Sequence, residues 1–472
     1  MNKEQALIHI ISHTDYSSKI DATSIPRGEI NNAKKLYKLL KNQEYPIAEI
    51  QDLNELFGIK DFQDTNAKIL NDLTKLNVEL ATNEDEWIEG GNYPPIQTFL
   101  KKMNQRLSKN GENILLLLTW HIKTLSILST GIQRSHPTIG KCYCCFSGEF
   151  SFSNFPHYAC LKNLDLILCE SLLAPIEGCK IGIPPWKFFY LPHIAPQESE
   201  DILSQNEEEK KSYRLKYLQN LAKKNQKELA IDEETVVIAY PTRFTRRKNV
   251  EILIEIIYEL RQTHPNILLI LKGNYDREGD FSIQYSDKLS LHLKGALKEN
   301  WFLWDDEATP YPEILRIFSS FDICAYISGA ESGNNTIVEM ASLGIPCVVL
   351  NATTNPYMYK DMASFIEAGE KILGVWVFQQ PLINDLKNCL GDLIRSKEKR
   401  KSLGERFRNV CKKRYGSRNI LERIPLLLEA AKSIRLQDKN AEEYKKKLLD
   451  RLKQDMQEYS LEKEMEYIKW SL

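Results

Sequence analysis

The chain has 472 residues, of which 42% are hydrophobic and 27% are charged, and its formal net charge is −1. This length exceeds what one hydrophobic core usually serves, so we expect two domains. The near-neutral charge gives no overall basic field for nucleic acid, and no apolar run approaches the roughly 20 residues of a membrane span.

The N-terminal segment has too short an apolar core for a secretory signal, so we expect a cytoplasmic protein. Its first 195 residues alternate short apolar runs with helical periodicity, which is typical of a Rossmann-like domain. An amphipathic helix is predicted at about 30–40. The predicted strands are 6–12, 45–50, 114–119, 141–145, 164–169 and 188–191.

Two residues of this first domain are candidates for contact with a substrate. Gly28 precedes the predicted helix, where backbone amides could approach a phosphate. His121 follows the carboxyl end of a predicted strand, the edge at which open α/β sheets bind ligands. Both residues also have a purely structural interpretation, as a turn glycine and a strand-end histidine.

A charged helical connector is predicted at 196–232. It is either a solvated link or part of an acceptor site. A second α/β domain is predicted at 233–435, and its first strand leads into a cationic loop. The loop contains Arg243, Arg246, Arg247 and Lys248. Four cations this close repel one another unless an anion neutralises them, and a diphosphate fits that requirement. The alternative is a solvated basic turn.

A second signal lies in the segment from Glu331 to Glu339, between a predicted strand at 323–327 and an apolar helix. The loop lies at the carboxyl edge of the sheet, and the helix start offers N–H groups and a partial positive charge to an anion. Ionised glutamates are acceptors that suit sugar hydroxyls. A ligand that combines a phosphate with a polyol, such as a nucleotide sugar, would fit both features. Thr336 and Glu339 also fit a capping box, which would explain Glu339 alone.

Further substrate-binding candidates lie in these loops. Gly273 and Asn274 follow the predicted strand at 266–272. The polar loop before the helix contributes Gly333, Asn334, Asn335 and Thr336. Glycine and asparagine tolerate the left-handed backbone that such loops often need.

The two loops resemble a known family. The segments 242–249 and 331–349 are similar to two motifs of the donor-binding domain of retaining glycosyltransferases with the GT-B fold, family four (glycosyl transferases group 1). The first segment matches the arginine and lysine of one motif, at Arg243 and Lys248. The second matches both glutamates, the Met-Ala pair, the glycine and the proline of the other. The resemblance is specific over about 235–430, and glycines of the family are replaced by Thr242, Asn249, Ser332 and Asn334.

The resemblance implies an α/β protein of the GT-B fold, with two Rossmann-like domains facing a central cleft and a C-terminal helical extension. It implies a retaining transfer of a sugar from a nucleoside-diphosphate sugar, the co-substrate, to an acceptor hydroxyl. Arg243 and Lys248 would meet the diphosphate, Glu331 the sugar hydroxyls and Glu339 the ribose. His121 would face the sugar as a further catalytic residue.

We expect no metal and no other cofactor. The sequence contains no Asp-x-Asp pair, the usual metal–nucleotide ligand of the other glycosyltransferase fold. Ten cysteines are present, but Cys142 and Cys145 have no second pair at ligand spacing.

Several alternatives stay open. The replaced glycines also fit a catalytically inactive GT-B-like partner or stabilising subunit, and an epimerase or phosphorylase could share the fold. The acceptor could be a protein, a glycan, a lipid or a small molecule. The helical tail at 436–472 could pack on the first domain or join the chain to a partner or second copy. Its apolar stripe contains Leu448, Leu449, Leu452, Met456 and Tyr459.

Overall fold

The computed structural model describes residues 7–12, 28–43, 51–52, 113–119, 136–142, 161, 164–274, 283–331, 333–372, 378–466, 468 and 470. These residues divide into two compact units. The first contains the described residues up to Pro192 and those from Arg418 onward, and the second runs from His193 to Ser417. No helix in the described part of the chain is long and apolar enough to span a membrane.

The first unit contains a parallel sheet whose six described strands have the order β2-β1-β3-β4-β5-β6. The strands are β1 (Leu7–Ser12), β2 (Gln51–Asp52), β3 (Asn113–Thr119), β4 (Thr138–Cys142), β5 (Leu166–Cys169) and β6 (Phe188–Tyr190). The helices described before β6 are α1 (Gly28–Asn42) and α2 (Leu173–Lys180). The run of leucines in β3 is typical of a parallel strand with both faces covered.

Two strands differ most from their predicted positions. β2 lies just after the predicted 45–50, and β4 begins at Thr138 rather than at 141. Asp165 explains the earlier start of β4, because its carboxylate accepts the Thr138 N–H at 2.7 Å while its own N–H donates to the Thr138 carbonyl. Residues 143–145 of the predicted strand lie outside the described residues.

The C-terminal helices complete the first unit. They are α12 (Ser417–Leu436), α13 (Ala441–Glu458) and α14 (Glu462–Met465). The predicted boundary at 435 therefore lies too late, since α12 belongs to the first unit. The apolar stripe of α13 is buried, and α13 contacts β6. Each buried aliphatic side chain contributes about 1.5–3 kcal/mol, so this packing explains why the tail folds back onto its own chain.

A buried polar network fixes these helices to β6. The guanidinium of Arg423 donates two hydrogen bonds to Asp455, both at 2.8 Å, and a third to the Tyr190 carbonyl at 3.0 Å. The hydroxyls of Tyr190 and Tyr459 lie 2.7 Å apart. The sequence left open whether the apolar stripe of the tail packs on the first domain or on a partner. In the structure it packs on the first domain.

The second unit contains another parallel sheet, whose six described strands have the order β12-β11-β10-β7-β8-β9. The strands are β7 (Val236–Pro241), β8 (Ile267–Lys272), β9 (Phe302–Asp305), β10 (Ile323–Tyr326), β11 (Cys347–Leu350) and β12 (Ser364–Ile366). An antiparallel hairpin of β13 (Ala368–Ile372) and β14 (Phe378–Pro381) follows. Chain order runs outward from β7 in one direction and from β10 in the other, so a topological switch point lies between these neighbours.

The helices of the second unit pack around this sheet. They are α3 (Glu198–Ser204), α4 (Glu207–Lys224), α5 (Val250–Arg261), α6 (Ile283–Ala296), α7 (Glu313–Phe318), α8 (Asn335–Ser342), α9 (Asn355–Met358), α10 (Ile383–Arg395) and α11 (Lys397–Tyr415). The predicted connector is not a free link. Helix α4 buries Leu218 and Leu221 against the core, and Arg214 pairs with Asp322 at 2.7 Å. The many charged residues of this helix are why its sequence also fits a solvated link.

Gly344 ends the helix that carries the second glutamate. It has a φ of +74°, the left-handed conformation with which many helices end. The last residue of α8 is Ser342, two positions earlier. Gly404 of α11 lies against the same turn, where a Cβ would come within 1.8 Å of the Gly344 carbonyl. This close approach holds the C-terminal end of α8 against α11.

Candidate functional site

Two loops at the switch point of the second sheet form the candidate site. We call them the basic loop (residues 242–249, after β7) and the glutamate loop (residues 327–334, after β10). The Gly329 N–H donates to the Arg247 carbonyl at 2.7 Å, and the Arg247 guanidinium donates to the Ala330 carbonyl at 2.8 Å. The two charged clusters recognised in the sequence therefore lie in direct contact.

The contact includes a buried ion pair. Lys248 and Glu331 are each only 5% exposed, and the Lys248 ammonium donates to Oε1 of Glu331. Tyr326 joins both groups, since its hydroxyl accepts from Lys248 at 2.6 Å and donates to the same Oε1 at 2.8 Å. Arg247 places a second cation 4.0 Å from Oε2. The carboxylate thus faces two cations and a phenol.

The electrostatics keep this pair ionised at neutral pH. Burial alone would raise the pKa of Glu331, but Lys248 and Arg247 outweigh it and lower that pKa to about 2. Burial lowers the pKa of Lys248 to about 8, although Glu331 opposes the change. Lys248 is therefore a buried cation that loses its proton closer to physiological pH than an ordinary lysine does.

Arg243 lies on the exposed side of the basic loop, beside Gly273 and Asn274. The Phe244 N–H donates to the Asn274 carbonyl at 2.9 Å, and the Thr242 N–H donates to the Lys272 carbonyl at 2.9 Å. Gly273 has a φ of +142°, and a Cβ there would stand 2.0 Å from the Thr242 carbonyl. Only glycine allows the two chain segments to run this close, and the approach places Asn274 next to Arg243.

Asn249 shows how the basic loop keeps its shape without the glycine of the family. Its φ of +53° lies in the left-handed region, which asparagine adopts more readily than most residues. Its side-chain amide donates to the carbonyls of Ile327 and Gln379 at 2.9 and 3.1 Å. The substitution therefore preserves the turn and adds a link to the glutamate loop and to β14.

The start of α8 differs from the predicted capping box. Asn334 is the N-cap, because its side-chain oxygen accepts the Thr336 N–H at 2.7 Å, and the helix begins at Asn335. Thr336 is the second residue of the helix, so it forms no box with Glu339. Asn334 has an extended backbone with a φ of −135°, and its role is capping rather than a left-handed turn.

Helix capping therefore does not explain Glu339. This residue is 8% exposed in the interior of α8. Burial raises the pKa of Tyr311, and the negative charge of Glu339 raises it further. Gly333 lies half-buried just before the cap. The glutamate loop thus brings Glu331, Gly333, Asn334 and the first turn of α8 to one edge of the sheet.

Four residues of the site were missed in the sequence. Tyr326 lies in a buried strand, where an aromatic residue suggests only packing. Thr353, Thr354 and Tyr359 follow β11, and their hydroxyls bind backbone groups of the glutamate loop. The position of Thr353 and Thr354 after a buried strand is the same signal that identified Gly273, and it applies equally to them.

The candidates of the first unit have a different outcome. Gly28 is the first residue of α1. His121 lies outside the described residues, two positions after the end of β3. Their suggested contacts with a substrate stay predictions.

The two parallel sheets and the loops at the switch point define a protein of the GT-B fold. Solved structures share this fold. HepE of Anabaena in complex with UDP and glucose has a TM-score of 0.59 at 15% identity, over 90% of this chain and 99% of that one. A UDP-forming α,α-trehalose-phosphate synthase from Burkholderia xenovorans has a TM-score of 0.59 at 10% identity, over 90% and 99%. A glycosyltransferase from Rickettsia africae has a TM-score of 0.55 at 13% identity, over 92% and 99%.

Residues 222–410 match the family of glycosyl transferases group 1. The match lies within the second unit, where the two sequence motifs predicted it, and the fold is that of GT-B proteins. No curated protein sequence matches the chain. The predicted fold and enzyme class are confirmed, and the inactive-partner alternative is not favoured.

Proposed function

We propose that the protein is a retaining, metal-independent glycosyltransferase that uses a nucleoside-diphosphate sugar. UDP is the first nucleoside diphosphate to test. The observation that carries this proposal is the contact between the basic loop and the glutamate loop at the switch point. The complex of HepE with UDP and glucose supports uracil as the base of the donor nucleotide.

In the proposed mechanism, Arg243 and Lys248 meet the diphosphate, together with the N–H groups at the start of α8. Each charge-assisted hydrogen bond to phosphate contributes roughly 1.5–3 kcal/mol. These bonds strengthen as the leaving diphosphate gains charge, so they lower the barrier to transfer rather than only binding the donor. This replaces the charge neutralisation that a metal ion supplies in other glycosyltransferases.

The buried pair gives Lys248 and Glu331 linked roles. A diphosphate beside Lys248 competes with Glu331 for the ammonium protons, and the carboxylate then accepts hydrogen bonds from the sugar hydroxyls. Glu339 receives the ribose hydroxyls. In a retaining reaction the acceptor hydroxyl attacks from the face that the diphosphate leaves, and its proton passes to the departing phosphate oxygen.

Gly273, Asn274, Gly333, Asn335 and Thr336 are proposed to line the donor. We also propose that Gly28 and His121 contribute from the first unit, with backbone amides near phosphate and an imidazole near the sugar. The central cleft between the units and the acceptor it holds stay part of the proposal.

Calorimetry with UDP tests donor binding, and mass spectrometry after incubation with a panel of nucleotide sugars tests turnover. The expected result is binding at millimolar or lower concentration, with release of UDP from at least one sugar. Glu331→Ala and Lys248→Ala should abolish transfer and donor hydrolysis while the fold is kept. A protein that binds no nucleoside diphosphate would instead be a structural partner, in which the ion pair serves only folding.

A further inference from the structure

The segment after β11 holds the glutamate loop by its backbone. We call residues 351–359 the threonine segment. Oγ1 of Thr353 accepts the Glu331 N–H at 3.0 Å, and Oγ1 of Thr354 donates to the Glu331 carbonyl at 2.8 Å. The Tyr359 hydroxyl accepts the Asn334 N–H at 2.7 Å and donates to the Asn334 carbonyl at 2.8 Å. Glu331 and Asn334, in the C-terminal half of the loop, are therefore fixed by side chains from one neighbouring segment.

Thr353 reaches Glu331 from an unfavourable backbone conformation. Its φ is +46°, in the left-handed region, where a β-branched residue is a genuine outlier. Such strain persists only where the surroundings over-determine it, and it concentrates at functional sites. Here the surroundings include the hydroxyl contact with the Glu331 amide. The outlier and the site residue are thus joined by two hydrogen bonds, since Oγ1 of Thr353 also donates to the Glu331 carbonyl at 3.4 Å.

Thr354 gives an independent sign that the segment serves Glu331. It is the residue before α9, where a threonine hydroxyl ordinarily caps the helix. Its hydroxyl makes no cap and bonds to the Glu331 carbonyl instead. Thr354 is only 1% exposed, so this bond is made away from water. Both polar groups of the Glu331 backbone are satisfied by adjacent threonines.

We propose that Thr353 is a positioning residue for the donor sugar, held in a left-handed conformation so that its hydroxyl fixes the Glu331 backbone. The Glu331 carboxylate already has Lys248 and Tyr326 on one side, and the backbone contact sets where the other side can meet a sugar hydroxyl. This inference rests on the proposed function. A displacement of about 1 Å at such a site is enough to lower turnover as much as a hundredfold.

A positioning role and a purely structural role give different results. Glycine at 353 relieves the backbone strain and removes the hydroxyl, so it should keep or raise stability while it lowers turnover. Valine at 353 retains the β-branched shape and removes only the hydroxyl. Serine retains the hydroxyl. If Thr353 is only structural, turnover will be the same in every variant that folds.

The experiment compares Thr353→Gly, Thr353→Val and Thr353→Ser with the wild type. The control is Asn351→Ala in the same segment, since the Asn351 amide donates to Glu367 and away from the glutamate loop. Calorimetry with UDP, thermal unfolding, and kcat and KM for hydrolysis of the donor are measured. UDP-glucose is the first donor, followed by the one that the panel shows to be hydrolysed fastest.

We expect the glycine and valine variants to lose about ten- to a hundredfold in kcat, with KM within about twofold. UDP affinity should be unchanged, and the melting temperature of the glycine variant should be no lower than that of the wild type. Serine and Asn351→Ala should keep wild-type kcat. Wild-type kcat in the valine and glycine variants would overturn the inference and leave the proposed function intact. A wild type that binds no UDP and hydrolyses no donor would overturn both.

Discussion

Two buried ion pairs, one in each unit, have different neighbours. Arg423 and Asp455 are 4% and 1% exposed and form a bidentate pair between two helices of the first unit. Lys248 and Glu331 are each 5% exposed, but a tyrosine also donates to the Glu331 oxygen that Lys248 binds, and the pair lies in two loops at a sheet edge. Burial alone therefore does not distinguish a pair that holds helices together from one that serves a site.

The cations differ in how they respond to the loss of a partner. Arginine does not deprotonate in proteins, so Arg423 would stay a buried charge without Asp455. Lys248 has a pKa of about 8 even beside its carboxylate, so without that carboxylate it can release its proton. The first pair is thus expected to dominate stability, and the second activity.

The largest expected effect on stability is that of Asp455→Ala. It leaves the Arg423 guanidinium buried without its carboxylate, which should cost about 3–5 kcal/mol. Thermal and denaturant unfolding, followed by circular dichroism, measure the loss. Replacing both residues together by leucine or methionine should cost less than the single change, and an equal or greater cost would contradict this account.

Glu331→Gln should separate activity from stability at the other pair. The amide keeps the shape of the side chain but removes the charge, and donor hydrolysis should fall at least a hundredfold. The melting temperature should fall less than in Asp455→Asn, because Lys248 can neutralise itself. UDP binding by calorimetry should persist. A larger thermal loss at 331 than at 455 would show that both pairs are structural.

The pH dependence of donor hydrolysis tests the role of the Lys248–Glu331 pair further. Lys248 loses its positive charge as pH rises through about 8, so donor hydrolysis should decline above that pH. Lys248→Arg retains the charge at every pH measured and should remove this decline, whatever its own rate. Glu331 acts at the other end of the scale, since its lowered pKa favours the folded state above pH 4.5 and that contribution is lost as pH falls toward 2.

Asn249 should give the smallest effect. Asn249→Gly keeps the left-handed backbone and loses the links to Ile327 and Gln379, at a cost of about 1–2 kcal/mol. Asn249→Ala loses the same links and adds backbone strain of roughly 1 kcal/mol or more. Thermal unfolding should therefore rank the alanine variant below the glycine variant. The reverse order would indicate that the left-handed conformation is not needed.

Much of the second unit follows from local sequence patterns. Buried parallel strands are continuous apolar runs, so β7, β8 and β10 were recognised, and the charged residues after β7 and β10 identified both loops. Tyr326 could not be identified in this way. Its role depends on β10 lying beside β7, and a tyrosine in a buried strand looks the same whether or not its hydroxyl meets an ion pair.

The sequence placed α12 in the second domain, and it left open whether the tail at 436–472 packs on the first domain or joins a partner. An amphipathic stripe shows that one face of a helix is buried, and it does not show which surface covers it. The contact between Arg423 and the Tyr190 carbonyl joins residues that are far apart in sequence. The left-handed φ of Thr353 is equally invisible to local patterns, because a threonine pair after a strand predicts a turn and not its hand.

The position of α12 and α13 in the first unit has a consequence for synthesis on the ribosome. The described residues of the second unit form one stretch of chain, His193–Ser417, whereas those of the first unit lie on both sides of that stretch. Arg423 and Tyr459 are synthesised long after β6. The hydrophobic face of the first unit therefore stays uncovered while the second unit is translated. Premature termination before α13 should therefore yield an aggregation-prone chain even though the transferase domain is already complete.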